Sequence, residues 1–513
     1  MTDPVDRLSL TQRVSLLSGA DFWSTEAVAE AGIESFVLTD GPHGVRRQPS
    51  DADHLGIGGS VPATCFPTAS LLGATWDREL IIEVGQALGR ECRALGVGVL
   101  LGPGLNIKRH PAGGRNFEYF SEDPLLSGVL AAAMVRGIQS TGVGACLKHF
   151  VANNHESHRM IADVIVDERT LRELYLRGFE IAVEQGDPCA VMTSYNLVNG
   201  EYVADSRRLV TEVLRDEWGF EGLVVTDWGG TNDRVAALRA GVDLEMPSSG
   251  GAHDRDVIAA VERGELDESI VTERARTVAR LAARVAHEGS GGGVESDEVA
   301  HDRLARRVAA AGTVLLTNDG TLPIDPTADV AIIGAFADEP REQGAGSSHV
   351  VPTRHDTARR AFERRSSGAV QFAGVYDVST GRSTPTAIDD AARLAAAADV
   401  AVVFVGLPAA SEAEGYDREH HSLPPAHDEL VAAICSANPR TVVILSNGAP
   451  VLMPWADRPA AIVEAYLGGQ AGSTAIVDVL VGDTEPGGRL AESFPMSADL
   501  PAAANFPGEP RRT

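Results

Sequence analysis

Between residues 35 and 246, short apolar runs alternate with helix-patterned stretches, and this alternation constrains the fold more than any other feature. The runs are Ser35-Phe-Val-Leu-Thr39, Val97-Gly-Val-Leu-Leu101, Gly144-Ala-Cys-Leu147, Cys189-Ala-Val-Met-Thr193, Gly222-Leu-Val-Val-Thr226 and Val242-Asp-Leu-Glu-Met246. Amphipathic segments such as Glu168 to Gln185 and Ser206 to Glu217 lie between them. Apolar strands separated by helices build parallel βα units, because a parallel pair needs a crossover long enough to hold a helix. The stretch 1–286 has the length of one (β/α)8 TIM-like barrel, with room for irregular strands. In such a barrel the strand C-termini converge on one face, which carries the chemistry. Here those ends are Asp40, Lys148-His149, Tyr195-Asn196 and Asp227.

The segment 287–297, His287-Glu-Gly-Ser-Gly-Gly-Gly-Val-Glu-Ser-Asp297, is polar and glycine-rich and reads as a linker. After it, 298–495 shows the apolar strands Asp329–Gly334, Asp399–Gly406, Thr441–Ser446 and Ala460–Tyr466. Helical patterns lie at 297–312, 386–397 and 427–437. Runs without polar alternation are buried on both faces, so this half predicts a mostly parallel α/β sandwich. Gly334 and Gly406 follow strands without forming a dinucleotide fingerprint, which argues against a nucleotide site. The remaining 496–513 reads as a C-terminal tail.

Several polar positions are candidates for chemistry, each with an ordinary alternative. Asp227, in Val224-Val-Thr-Asp-Trp-Gly-Gly230, could present a carboxylate to a sugar ring stacked on Trp228, or could cap the next helix. Asp40, in Leu38-Thr-Asp-Gly-Pro-His-Gly-Val-Arg46, could accept bonds from two hydroxyls or serve turn geometry alone. Arg115 and Arg159 could contact ligand or form surface ion pairs. Glu414, in Ser411-Glu-Ala-Glu-Gly-Tyr-Asp-Arg418, sits in a polar loop that reads equally as plain surface. Of the 44 basic residues only Lys108 and Lys148 are lysines, so Lys148, beside His149 at a strand end, stands out as a position where a compact ammonium is wanted.

The formal net charge of −28 disfavours nucleic acid and anionic membranes as partners and suits a neutral small molecule. Five scattered cysteines without a CxxC pair point away from a disulfide framework or zinc site and towards a reducing compartment. With no basic-then-apolar leader and no membrane-length apolar run, the chain is expected to be cytoplasmic, free of metal and cofactor, with a homo-oligomer left open.

Together the segments TDGPHGVR (39–46), GLNIKRHPAGGRNFEYFSEDP (104–124), KHFVANNHE (148–156), DERTLRELYLRGFE (167–180), MTSYNLVNG (192–200), GFEGLVVTDWGG (219–230), AEGYDR (413–418) and GGRLAESFP (487–495) resemble glycoside hydrolase family 3, in its β-glucosidase branch. The resemblance runs from about residue 8 to about residue 508. It implies a barrel plus sandwich with the site between them. It further implies Asp227 as nucleophile, and Asp40, Arg46, Arg115, Lys148, His149, Arg159, Tyr195 and Trp228 around the non-reducing sugar. The acid/base position matches Glu414, with Glu412 as second choice. The mechanism so implied is retaining, by double displacement. On that reading Arg115 and Lys148 keep Asp227 ionised, while Glu414, with fewer cations around it, holds the proton. The family's N-acetylglucosaminidases carry a KHFPGHG-like segment where this chain has KHFVANNHE. Its xylosidase-like members tend to have a glutamate-containing segment in place of Thr39-Asp-Gly-Pro. A terminal β-glucoside is therefore the expected substrate. Another sugar such as xylose or arabinose, or an inactive carbohydrate-binding relative, are the alternatives. The family branch usually continues into a fibronectin type III domain, whereas this sequence stops at Thr513 and reads as a short form.

Overall fold

The computed structural model describes residues 3–48, 59–289, 296–500, 506 and 508. Most of the expected linker, 290–295, and of the tail, 501–505, 507 and 509–513, lies outside the described residues.

Five parallel strands form the first sheet: β1 (Leu38–Asp40), β2 (Val99–Leu101), β3 (Gly144–Phe150), β4 (Ala190–Thr193) and β5 (Leu223–Thr226), hydrogen-bonded in that order. Each arises where its apolar run was read, and each is buried throughout. Aspartates start the intervening helices. Asp77 accepts the Glu79 and Leu80 N–H groups before Arg78–Ala94, and Asp123 accepts those of Leu125 and Leu126 before Pro124–Gln139. These caps satisfy amides that no helical carbonyl reaches.

The ring does not contain eight regular parallel strands. After β5 it is carried by single bridges: Val225 with Leu244 and Ser18 with Glu245, both parallel, then Gly19 with Thr25 and Ser24 with Val37, both antiparallel. The Leu38 N–H donates to the Trp23 carbonyl at 2.9 Å and returns the circuit to β1. The run 242–246 thus joins the ring by bridges alone, without the extended ladder its composition suggests. The stretch 168–186 is helical as expected, but Leu171–Leu176 within it and Arg208–Glu217 further on adopt the wider π form.

The second sheet has six strands: β6 (Val314–Asn318), β7 (Val330–Ile333), β8 (Val370–Ala373), β9 (Val400–Gly406), β10 (Thr441–Ser446) and β11 (Ala461–Glu464). Their spatial order is β8-β7-β9-β10-β11-β6. The first five are parallel, with Ile332 opposite Val402 and Val402 opposite Val442, and β6 closes the edge antiparallel. A two-domain α/β architecture results.

One apolar core passes through the contact between the two halves. Leu71, Leu72 and Phe120 from the first pack with Ala305, Val308, Tyr466 and Val479 from the second. At Gly312 a Cβ would lie 2.4 Å from the Leu71 side chain, so only glycine permits this approach. Contact of this apolar kind holds the two halves in one relation, and the loop after β9 is thereby carried to the C-terminal mouth of the barrel.

Candidate active site

A single cleft at that mouth is lined by Asp40, Arg46, Arg115, Lys148, His149, Arg159, Tyr195, Asp227, Trp228 and Glu414, so all ten residues singled out in the sequence come together. Phe22, Trp23, Met192, Gly346, Ser347 and Gly415 complete the lining and were not anticipated.

Asp40 ends β1 and is flanked by two cations, Lys148 Nζ at 3.3 Å and Arg46 Nη1 at 3.5 Å. Lys148 also lies 3.6 Å from Glu118 Oε1. Burial alone would strip the Lys148 proton, but Asp40 and Glu118 outweigh it and keep the ammonium charged. Lys148 is 1% exposed. The other lysine, Lys108, is also buried, and donates to Glu492 at 2.6 Å and to Ser70 at 2.9 Å, away from the cleft. Scarcity of lysine therefore marked two buried ion pairs, of which one is in the site.

Glu118 is the main omission of the sequence reading. A 3-10 turn, Asn116–Glu118, folds it back on Arg115, which grips it through two bonds, Nε at 2.6 Å and Nη2 at 3.0 Å. Burial pushes the Glu118 carboxyl up, yet Arg115 and Lys148 together hold it below its usual range. Its one visible signal was the three-residue spacing from Arg115 in Gly113-Gly-Arg-Asn-Phe-Glu118.

Asp227 follows β5. It does not cap a helix; Asp233 caps the next one, Arg234–Ala240. Asp227 Oδ1 accepts the Trp228 N–H at 2.7 Å, and its buried Oδ2 has no hydrogen-bond partner. Trp228 is fixed by donation from Nε1 to the Phe22 carbonyl at 2.8 Å, and its ring lies 5.2 Å from that of Trp23. Tyr195 gives its hydroxyl proton to the Trp228 carbonyl at 2.9 Å, and the Arg159 guanidinium lies 4.8 Å from the Tyr195 ring. His149 Nε2 stands 3.7 Å from Asp227 Oδ2, beyond hydrogen-bond reach. Burial, with Arg115 and Lys148 nearby, lowers the His149 pKa far below its usual value, so the imidazole is neutral.

Glu414 enters from the second domain. Its Oε1 lies 2.7 Å from Arg159 Nη1 and 3.6 Å from Arg115 Nη1, and its Oε2 accepts the Ser347 N–H at 2.8 Å. Glu412 points elsewhere: it is 2% exposed, accepts the Gly448 N–H at 2.6 Å, faces Arg341 at 3.3 Å and is absent from the cleft lining.

These contacts correct the expected charge assignment. Burial pushes Asp227 up to about 6, only partly offset by Arg159 and Arg115, and Lys148 is spent on Asp40 and Glu118. Glu414 is the carboxyl that the two arginines contact directly. Burial raises it, but Arg115, Arg159 and the Ser347 hydrogen bond outweigh burial and hold it far below the usual carboxylate range. Glu156 accepts from Arg159 at 2.8 Å, and burial pushes it up to about 7 against Arg159 and Arg115. No cluster of three or more His, Cys, Asp or Glu side chains suited to a metal occurs among the described residues.

Comparison with known proteins follows the same division of the chain. Residues 50–281 match the glycosyl hydrolase family 3 N terminal domain, and residues 313–511 match the glycosyl hydrolase family 3 C-terminal domain. The chain is 48% identical to a thermostable beta-glucosidase B of Acetivibrio thermocellus over 512 residues, 99% of this chain and 68% of that relative. It is 42% identical to an exo-alpha-(1->6)-L-arabinopyranosidase of Bifidobacterium breve over 518 residues, 98% of this chain and 68% of that one. Among solved structures, a beta-glucosidase of Bifidobacterium adolescentis superposes with a TM-score of 0.94 at 42% identity, covering 99% of this chain and 73% of that one. Beta-glucosidase 3B of Thermotoga neapolitana, in complex with glucose, gives 0.90 at 33% identity, covering 99% and 78%.

Proposed function

This chain belongs to glycosyl hydrolase family 3, and on that premise we propose that it releases terminal non-reducing β-D-glucosyl residues with Asp227 as nucleophile and Glu414 as acid/base. It is a glycosidase of the β-glucosidase type, and retention of anomeric configuration is the general property of its family. The observation that carries the residue assignment is the pairing inside one cleft of a buried, unpartnered Asp227 Oδ2 with a carboxyl delivered by the other domain.

In the first step Asp227 Oδ2 attacks the anomeric carbon, the bond to the leaving oxygen breaks, and that oxygen takes the Glu414 proton. In the second, ionised Glu414 removes a proton from water, the water oxygen attacks the same carbon, and the ester to Asp227 breaks. Asp40, Arg46, Lys148 and His149 offer the acceptors and donors for the outer hydroxyls, and Trp228 offers an apolar face. Near neutral pH both carboxyls of the free site are ionised, which suits Asp227, whereas Glu414 still has to gain the proton that the first step needs. Sugar hydroxyls that take up N–H groups of Arg115 and Arg159 withdraw them from Glu414 and raise its pKa. Substrate binding thus sets the protonation state of Glu414.

Aryl β-glucosides test the assignment. Incubation with a 2-fluoro-glucosyl fluoride should add one sugar to the peptide containing Asp227, measured by mass spectrometry after digestion. A label on another peptide, or ordinary turnover by Asp227→Ala, sinks the reading. A second reading, cleavage of α-L-arabinopyranosides, is favoured by the 42% identity to the Bifidobacterium breve protein. A panel pairing aryl β-glucoside with aryl α-L-arabinopyranoside and β-xyloside decides between them by kcat/KM.

A further inference from the structure

Glu414 lies on a loop, and what holds that loop is a reciprocal exchange of carboxylates with the barrel. Asp417, three residues on, sends its side chain back to two barrel loops. Its Oδ1 accepts the Gly114 N–H at 2.9 Å and the Glu156 N–H at 3.0 Å, and its Oδ2 accepts the Glu156 and Ser157 N–H groups at 3.0 and 2.8 Å. In return Glu156, a buried barrel residue, accepts the Gly415 N–H at 2.9 Å and Arg159 Nη1 at 2.8 Å through one oxygen, Oε2. The Arg418 N–H donates to the Ala112 carbonyl at 2.9 Å and continues the seam. At Gly114 a Cβ would lie 1.9 Å from the Tyr416 carbonyl, so the two backbones approach closer than any side chain allows. The barrel loops so held are those of Arg115 and Arg159, the two cations that face Glu414.

We propose that Asp417 and Glu156 are positioning residues for proton transfer by Glu414, forming an interdomain clasp that sets the height of Glu414 over the barrel mouth. Neither residue lines the cleft, so neither touches the sugar. The apolar core fixes the domains as bodies, whereas the clasp fixes the loop that carries Glu414 across the gap. Carboxyl-to-amide bonds suit this task because each is directional. The proposal rests on Glu414 being the acid/base, so its test includes Glu414 itself.

The experiment measures kcat/KM for two β-glucosides, one with a highly activated aryl leaving group and one with a poor one. The variants are Asp417→Ala, Glu156→Met and Glu414→Ala, and each is also assayed with added azide. A misplaced proton donor hurts only the substrate that needs the proton, so Asp417→Ala and Glu156→Met should lose about tenfold to hundredfold on the poor leaving group. They should lose less than about threefold on the activated one, with inhibition by glucose unchanged. Glu156→Met keeps an unbranched chain of similar length without the acceptor oxygens, so it carries the test if Asp417→Ala does not fold. Equal losses on both substrates would mean a general structural role and overturn the proposal. If Glu414→Ala discriminates between leaving groups and is rescued by azide while the clasp variants do not discriminate, the clasp alone fails. If Glu414→Ala does not discriminate, the acid/base reading fails and the clasp proposal with it.

Discussion

The two halves of the cleft are built by different means. The barrel half stands on strands or directly after them: Asp40 closes β1, Lys148 and His149 lie within β3, and Asp227 follows β5, all 8% exposed or less. Their positions are set by backbone hydrogen bonds, Lys148 N–H to the Pro103 carbonyl and Asp227 N–H to that of Thr193, by the Asn106 side chain at the His149 N–H, and by burial. The other half is two loops of the second domain, Gly346-Ser347 and 411–418; in the latter Gly415 and Tyr416 are exposed, and Glu414 is held by Ser347 of its own domain and by Arg115 and Arg159 of the barrel. The barrel side chains are thus placed by the fold of one domain, whereas Glu414 reaches the cleft only when the two domains and their loops are joined.

Removing chemistry from the rigid half should have the largest effect. Asp227→Ala should lower kcat by about 10⁴-fold or more on every aryl β-glucoside, whatever its leaving group, with folding intact by circular dichroism. Removing chemistry from the loop half should be selective. Glu414→Ala should cost about 10²- to 10⁴-fold on poor leaving groups and far less on activated ones. If Asp227→Ala proved the selective variant, the division of labour between the halves would be reversed.

Lys148→Met tests whether the barrel half is held by its charges. It leaves Asp40 without its nearest cation and removes one from Glu118. Stability should fall by about 3 kcal/mol, read as a lower denaturant midpoint, and sugar binding should weaken as well.

The smallest effects sharpen the electrostatic contrast. With Asp227 raised to about 6, kcat/KM should rise with pH through that value as the nucleophile ionises. The stability effect has the opposite sign. A folded-state pKa above the ordinary 3.8 means that the folded chain binds the extra proton. That contribution is complete below 3.8 and is lost as pH rises through about 6. Asp227→Asn should therefore be more stable than the parent at pH near 8, by on the order of 1–3 kcal/mol, with the gap closing in acid. A gap that stayed constant with pH would show that Asp227 is not strained by burial.

The limits of sequence reading follow the same division. Asp40, Lys148, His149 and Asp227 were legible because an apolar run stops at a polar residue, and in a parallel barrel such stops gather on one face. The run 242–246 looked no different from the others, but its β-bridges are confined to Leu244 and Glu245. The bridging segment 18–25 had no apolar run to announce it. The antiparallel β6 follows its helix directly and gave no separate signal. Glu118 and Ser347 were missed because a glutamate in a turn and a serine in a polar loop look like surface until the chain folds back over them. The charge order within the cleft was read wrongly, since it depends on which cation reaches which carboxyl.

Local pattern determined the βα architecture, the two domains and the polar strand ends at Asp40, Lys148, His149 and Asp227, because strand period and burial are properties of contiguous chain; the remaining cleft residues were named through the family resemblance. Tertiary structure alone decided that Glu414 and not Glu412 faces the barrel, and that two arginines from separate loops hold it ionised. It alone decided that, of Asp227 and Glu414, Asp227 is the one whose pKa stays raised by burial. Desolvation and charge pairing depend on distances between segments far apart in sequence, and no local pattern encodes those distances.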